Sequence, residues 1–241
     1  MKSGLLSLLA CPICKFYPLK LQIFKWETDR DKFKQLKTII EKKNIEQLNK
    51  DIQIKISIIE NEIKIKDNIS RSEKSLSDYI KALNNIYDDI LAIEDQSNTN
   101  SKEILQIIKN ELFKKIIEYK NEKNIVNQAN LFEQIKFNIH ILNWFLFYAE
   151  IEEGIIICEK CKRWYPIIET FPQMLPDELR KEKPEKEFFR KWKDNIKEEI
   201  LLKALPFNLE NYVTCPQCGY NFETVQLEGI KCPNCSFVFN R

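Results

Sequence analysis

Apolar positions recur every three to four residues through the middle of this chain and every second residue towards its ends. Leu76, Tyr79, Ile80, Leu83, Tyr87, Ile90 and Leu91 form one helical stripe. Leu105, Ile108, Leu112, Ile116 and Tyr119 form another, and Asn100 with Glu103 three residues on reads as a variant capping box at its start. Phe33, Leu36 and Ile40 predict an earlier helix. Leu131–Tyr148 is apolar nearly all round, the pattern of a helix buried on every side. With its charges it is a poor membrane span. Ile52, Ile54, Ile56 and Ile58 alternate, so a strand pair over Asp51–Lys66 is one reading, and the pattern does not decide it.

Strands are expected on either side of these helices. Pro18-Leu19-Lys20-Leu21-Gln22-Ile23-Phe24 alternates, as does Gly154 to Ile168. After Pro176 charges dominate, in Asp177-Glu178-Leu179-Arg180-Lys181-Glu182-Lys183. Phe189, Trp192, Ile196 and Ile200 then predict one helix, which Pro206 ends before the short strands of Tyr212–Arg241.

Composition narrows the chemistry. Among 241 residues, 38 basic and 36 acidic side chains leave a net charge of +2. That balance argues against a protein that coats polyanions. Gly4, Gly154, Gly219 and Gly229 are the only glycines and stand far apart, so no phosphate-cradling or dinucleotide loop can be written from them. His140 is the single histidine and lies in an apolar run, where it reads as a packed or surface residue. Self-contained catalysis is not expected.

The eight cysteines form four pairs of one spacing: Cys11 with Cys14, Cys158 with Cys161, Cys215 with Cys218, and Cys232 with Cys235. A Cys-x-x-Cys turn points two thiolates at one tetrahedral cation, and two such turns complete a closed four-thiolate site. Two structural metal sites follow. Zinc is the default ion, and iron on four thiolates stays open from the ligands alone. Uniform pairs argue against secreted disulfides, and four of them without a βαβ pattern argue against a redox dithiol. Leu5-Leu6-Ser7-Leu8-Leu9-Ala10-Cys11 superficially resembles a lipoprotein signal, but its apolar stretch is too short and Cys11 is paired with Cys14.

The two C-terminal pairs flank a hairpin-length segment, Gly219 to Lys231, and belong together. Cys11 and Cys14 must then meet Cys158 and Cys161. The intervening chain folds as an insertion with its ends close together. The expected class is therefore α+β: a split zinc ribbon over 1–28 and 149–180, a mainly helical insertion over 29–148, a helical linker over 181–211, and a second ribbon over 212–241.

Met1-Lys2, Leu5-Leu6, the Cys11–Cys14 pair and Tyr17-Pro18-Leu19-Lys20-Leu21 resemble the start of the zinc-binding methyltransferase-activator subunit family of archaea and eukaryotes. Ile151-Glu152-Glu153-Gly154, Cys158-Glu159-Lys160-Cys161, Arg163-Trp164-Tyr165-Pro166-Ile167 and Met174-Leu175-Pro176-Asp177-Glu178-Leu179-Arg180 match more fully. Lys162 stands where the family often has glycine, and Glu169-Thr170-Phe171 replaces a common Asp-Gly-Ile turn. Lys181–Arg241 lies outside the family's minimal form.

The resemblance implies a non-catalytic, cytoplasmic subunit. Its partners would be class I, S-adenosylmethionine-dependent methyltransferases acting on tRNA, rRNA and the translation release factor, each bound as a heterodimer. RNA would be met only indirectly and a membrane not at all. The ribbon would add a strand to the enzyme's sheet, with Tyr165, Ile167, Phe171, Met174 and Leu175 as contact residues. The alternative is a nucleic-acid- or translation-associated zinc ribbon. In that reading Tyr220, Phe222, Phe237 and Phe239 stack on bases, while Lys181, Lys183, Lys186, Arg190, Lys191 and Lys193 follow phosphates. Glu182, Glu185, Glu187 and Asp194 interleave with those cations, as on a solvated helix face.

Overall fold

The computed structural model describes residues 1–44, 47, 54–59, 62–121 and 125–240. The chain divides into two compact units, Met1–Leu179 and Arg180–Arg241. Its class is α+β, as the pattern predicts.

In the first unit a 3₁₀ turn, Ser3–Leu8, leads through Cys11 and Cys14 to strand β1 (Lys20–Trp26). Helix α1 (Arg30–Lys42) is followed by β2 (Lys55–Ile59), β3 (Glu62–Lys66) and β4 (Lys74–Ser75). Next come α2 (Leu76–Asn85), α3 (Tyr87–Leu91) and β5 (Ile93–Asp95). Then α4 (Thr99–Ile107), α5 (Phe113–Asn121) and α6 (Ile125–Asn143) precede β6 (Ile151–Ile157), β7 (Trp164–Ile168) and β8 (Phe171–Pro172). The second unit holds α7 (Glu182–Lys191), α8 (Glu198–Lys203) and four short strands, β9 (Tyr212–Thr214), β10 (Asn221–Glu223), β11 (Ile230–Lys231) and β12 (Val238–Phe239).

One sheet of order β5-β1-β6-β7-β8 organises the first unit. β1 runs antiparallel to β6, with Leu21 opposite Ile156 and Ile23 opposite Gly154. This pairing brings the two ends of the long insertion side by side. The insertion is not a bystander, because it supplies β5, which pairs parallel to β1 with Leu21 opposite Ile93. Leu19, Leu21 and Ile23 from β1 and its approach, Tyr79 and Leu83 from α2, Leu112, Ile139 and Leu142 from the later helices, and Tyr165 and Ile167 from β7 share one buried core.

Buried polar groups tie the helices to this core. Asp67 Oδ1 accepts from the backbone N–H groups of Ile69 and Ser70, at 3.0 and 2.8 Å. Its Oδ2 accepts from the Tyr79 hydroxyl and, at 2.8 Å, from Asn143 Nδ2. Trp26 Nε1 donates to Asp95 at 3.0 Å. His140 is the packed residue expected: its Nδ1 donates to the Lys136 carbonyl at 2.7 Å, and burial lowers its pKa. No helix among the described residues is long and apolar enough to cross a membrane.

Several sequence-based expectations shift at element boundaries. The stripe Leu76–Leu91 breaks at Ile86 into α2 and α3. The cap of α4 is Asn98, which accepts from the Ser101 N–H at 2.9 Å, so Asn100 lies inside the helix. The stretch Ile108–Leu112 and the end of the apolar run, Trp144–Tyr148, are π-helical turns. The undecided Ile-rich segment holds the antiparallel strands β2 and β3, while residues 51–53, 60 and 61 fall outside the described residues. The helix expected from Phe189 to Ile200 is two, α7 and α8, because the chain turns extended at Ile196.

Gly154 explains why the β1–β6 pair needs a glycine. A Cβ there would lie 2.5 Å from the Gln22 carbonyl oxygen, a backbone atom that cannot yield without moving β1. Gly154→Ala is therefore expected to cost about 1–3 kcal/mol, the range for overpacking. Chemical denaturation of the variant checks this, and an unchanged midpoint would show that the strand pair has slack.

Candidate metal centre

Each of the four cysteine pairs sits in the same backbone knuckle. The N–H of the first cysteine donates to the carbonyl five residues on: Cys11 to Phe16 at 3.0 Å, and Cys158 to Arg163, Cys215 to Tyr220 and Cys232 to Phe237 at 2.8 Å each. The residue after the second cysteine is left-handed in all four, with φ of 56° at Lys15, 59° at Lys162, 70° at Gly219 and 62° at Ser236. At three of these the N–H closes the turn onto the first cysteine's carbonyl: Lys15, Gly219 and Ser236. Lys162 thus adopts the conformation in which glycine is the least strained residue. Glu169 and Thr170, both at positive φ, form the tight turn between β7 and β8.

The knuckles meet in pairs. Cys11, Cys14, Cys158 and Cys161 form one cluster, and Cys215, Cys218, Cys232 and Cys235 another, with the sulfur atoms of each within 4.8 Å of one another. In the first, Sγ of Cys11 is 3.6 Å from that of Cys161, and Cys14 is 3.5 Å from Cys158. In the second the corresponding separations are 3.6 Å for Cys215 to Cys235 and 3.7 Å for Cys218 to Cys232. These are far too long for disulfides, whose sulfurs lie about 2.05 Å apart. They match the edge of a tetrahedron around a cation held at about 2.3 Å, which is about 3.8 Å.

The protonation states show what the clusters need. Burial resists ionisation of Cys11, but the N–H groups of Cys14 and Ile13 and the Tyr165 hydroxyl outweigh it and pull the thiol down to about 6. Burial, helped by the thiols of Cys14 and Cys161, pushes Cys158 up to about 12. The second cluster repeats the split. The N–H of Tyr220 and the Asn234 side chain draw Cys218 down to about 6. Cys235 rises to about 12, although the N–H of Phe237 favours its thiolate, because desolvation and the other three thiols outweigh that bond. One thiolate forms at the expense of its neighbour. A divalent cation at the centre supplies the charge that lets all four ionise. Both clusters therefore fit a four-coordinate metal.

Two side chains support the first cluster from outside. Tyr165 is wholly buried, and its hydroxyl lies 3.2 Å from Cys11 Sγ. Arg163 grips Asp177 through Nε at 2.9 Å and Nη2 at 2.8 Å. Asp177 first, and the Cys161 sulfur next, raise the pKa of that guanidinium. The role of Tyr165 escaped the sequence, where a tyrosine seven residues after Cys158 carries no signal of which way it faces.

The structure divides the five expected contact residues. Tyr165 and Ile167 have no exposed surface, being part of the core. Phe171 is 72% exposed and Leu175 40%. Met174 is intermediate and packs against the core. The segment holding these three is fixed at both ends: β8 pairs with β7, Gln173 N–H donates to the Pro166 carbonyl at 2.8 Å, and the Arg163–Asp177 pair anchors the far side.

In the second unit, Tyr220 and Phe237 are exposed, while Phe222 meets Phe239 edge-on at 6.3 Å. Lys186 and Arg190 both bind Glu223, at 3.1 and 3.0 Å, and Arg190 also lies over the Tyr212 ring. Two of the cations proposed to follow phosphates are thus neutralised within their own unit.

A family model described as Trm112p-like protein matches residues 2–169 of this chain. No curated protein and no solved structure matches it. The geometry of the first cluster makes two predictions. Cys158→Ser should lower the metal content, read by plasma mass spectrometry, by one ion per chain. Tyr165→Phe should keep both ions but lose the first to a competing chelator about 10–100-fold more readily, as expected when an outer hydrogen bond to a ligand is removed. Retention equal to wild type would leave the Tyr165 hydroxyl with no part in the site.

Proposed function

The chain belongs to the Trm112p-like family, whose role is methyltransferase activation, and on that premise we propose that it is a non-catalytic, zinc-binding scaffold subunit of class I, S-adenosylmethionine-dependent methyltransferases. The enzymes it serves would act on tRNA, rRNA and the translation release factor, in the cytoplasm, each as a heterodimer with this chain. Zinc is the ion proposed for both four-cysteine clusters, since four thiolates in a closed tetrahedron suit it and leave no coordination position for a substrate. The ion would act by fixing the knuckles. Cys11, Cys14, Cys158 and Cys161 would hold it in the first unit, and Cys215, Cys218, Cys232 and Cys235 in the second.

The observation that carries this reading is the exposed strip from Phe171 to Leu175 at the end of the sheet. β8 is the last strand, with no further strand beside it among the described residues, and the Pro172 carbonyl accepts the Met174 N–H at 3.1 Å. A segment already held in place loses little freedom on docking, so its side-chain contacts with a partner convert efficiently into affinity. Phe171 and Leu175 supply apolar anchors there. A subunit at about 100 times its dissociation constant stabilises its partner by about 2.7 kcal/mol. For an enzyme of ordinary marginal stability that separates a soluble protein from an aggregating one.

The alternative, a ribbon that binds nucleic acid through the second unit, has Tyr220 and Phe237 in its favour. The pairing of Lys186 and Arg190 with Glu223 weighs against it.

A nuclease-treated pull-down of the tagged chain from its native host tests the proposal. Stoichiometric recovery of class I methyltransferases is the expected result, and recovery of ribosomal or polymerase components alone would overturn it. Phe171→Asp is expected to abolish capture of the methyltransferase while leaving metal content and melting temperature unchanged, because so exposed a ring contributes little to folding. Normal capture would remove β8 from the docking surface.

A further inference from the structure

We propose that the insertion carries a nucleotide-binding site, in which Lys55, Lys66 and Arg71 hold a phosphate beside the ring of Phe147. The three cations line one open cavity of about 510 Å³, together with Leu5, Asp67, Asn68 and Phe147. Its volume falls in the range of small-molecule sites and exceeds what an inorganic phosphate needs.

The arrangement of the cations is the telling feature. Lys55 and Lys66 stand directly opposite each other in the β2–β3 ladder, a like-charge pair that costs stability. Neither they nor Arg71 forms an ion pair with a described residue. Asp67 is the one carboxylate in the lining, and it is already spent. Its Oδ1 accepts two backbone N–H groups and its Oδ2 accepts Tyr79 and Asn143, so its charge is held inwards. Among the described residues the lining therefore carries three cations against one carboxylate, a net positive charge that a phosphate would complement while relieving the cross-strand repulsion.

The same lining suits a base. Phe147 and Leu5 give it an aromatic ring and an apolar edge, and the exposed Asn68 amide offers both a donor and an acceptor. A flat heterocycle stacking on Phe147 with its phosphate towards the two lysines uses the lining groups other than Asp67. The same chemistry is offered by a free mononucleotide and by one residue of an RNA strand.

The site stands apart from β8 and does not depend on the proposed methyltransferase partner. It is tested with the full-length chain alone. A short fluorescein-labelled single-stranded RNA is titrated by anisotropy, and adenosine monophosphate by calorimetry. For RNA, the double variant Lys55→Glu with Lys66→Glu should bind at least about tenfold more weakly, and the salt dependence should flatten by about 1.4 in log–log slope, or about 0.7 for each lost phosphate contact. The same loss confined to the mononucleotide would identify the free ligand as the occupant. Lys55→Glu alone supplies the internal control. It converts the repulsive pair to an attractive one, so it should melt at or above the wild-type temperature while binding more weakly. No binding of either probe, equal binding by the variants, binding of a polyglutamate peptide instead, or a fall in melting temperature with Lys55→Glu would overturn the assignment. A chain that captures methyltransferases yet ignores both nucleotide probes would sink this inference and leave the scaffold role standing.

Discussion

The antiparallel contact of β1 with β6 is the constraint on which the first unit depends. It joins residues more than a hundred positions apart, and the N-terminal cysteine knuckle can reach its partner knuckle only because this pairing aligns them. Closing so long a loop is less costly than its length suggests, since each doubling adds only about 0.6 kcal/mol. What the pairing cannot tolerate is a side chain between the strands at Gly154. A four-thiolate metal site, with apparent binding energies of about 10 kcal/mol or more, would then lock the register from outside the sheet. Sheet and metal site are thus two clasps on one seam.

That seam explains the division of labour along β7 and β8. β7 lies between two strands, Tyr165 and Ile167 are buried in the core, and the Tyr165 hydroxyl meets Cys11. β8 has a neighbour on one side only, and its apolar side chains have no core left to fill. The same short sequence therefore serves the metal site with one strand and offers a surface with the next. Residues on the two strands look alike in composition, and only their place in the sheet separates them.

The insertion is held to the ribbon by more than its ends. β5 extends the ribbon's sheet, the helices share its core, and Asp67 gathers the β3–β4 turn, α2 and α6 around one buried carboxylate. Burying that charge is tolerable because four donors surround it. Among the described residues, the cavity lined by Asp67 also carries three cations, Lys55, Lys66 and Arg71, which is where the proposed phosphate would sit.

Local chemistry was readable in the chain directly. Four Cys-x-x-Cys pairs, the alternation read over Pro18–Phe24 and Gly154–Ile168, and the helical stripes each depend on residues within a few positions of one another, so they show in the sequence. The α+β class and the partnership of the knuckles followed from them. Boundaries such as the break at Ile86 and the cap at Asn98 were less readable, because several polar residues nearby could serve and packing chose among them. Which of the ribbon's apolar side chains are exposed was not readable at all. Tyr165 and Phe171 are both aromatic residues on the ribbon's last two strands, and their difference in burial arises from strands and helices far away in the sequence. The convergence of Lys55, Lys66 and Arg71 likewise depends on cross-strand register and on Asp67 being occupied elsewhere. Periodicity reports the neighbours a residue has along the chain; burial and uncompensated charge depend on the neighbours it acquires through space.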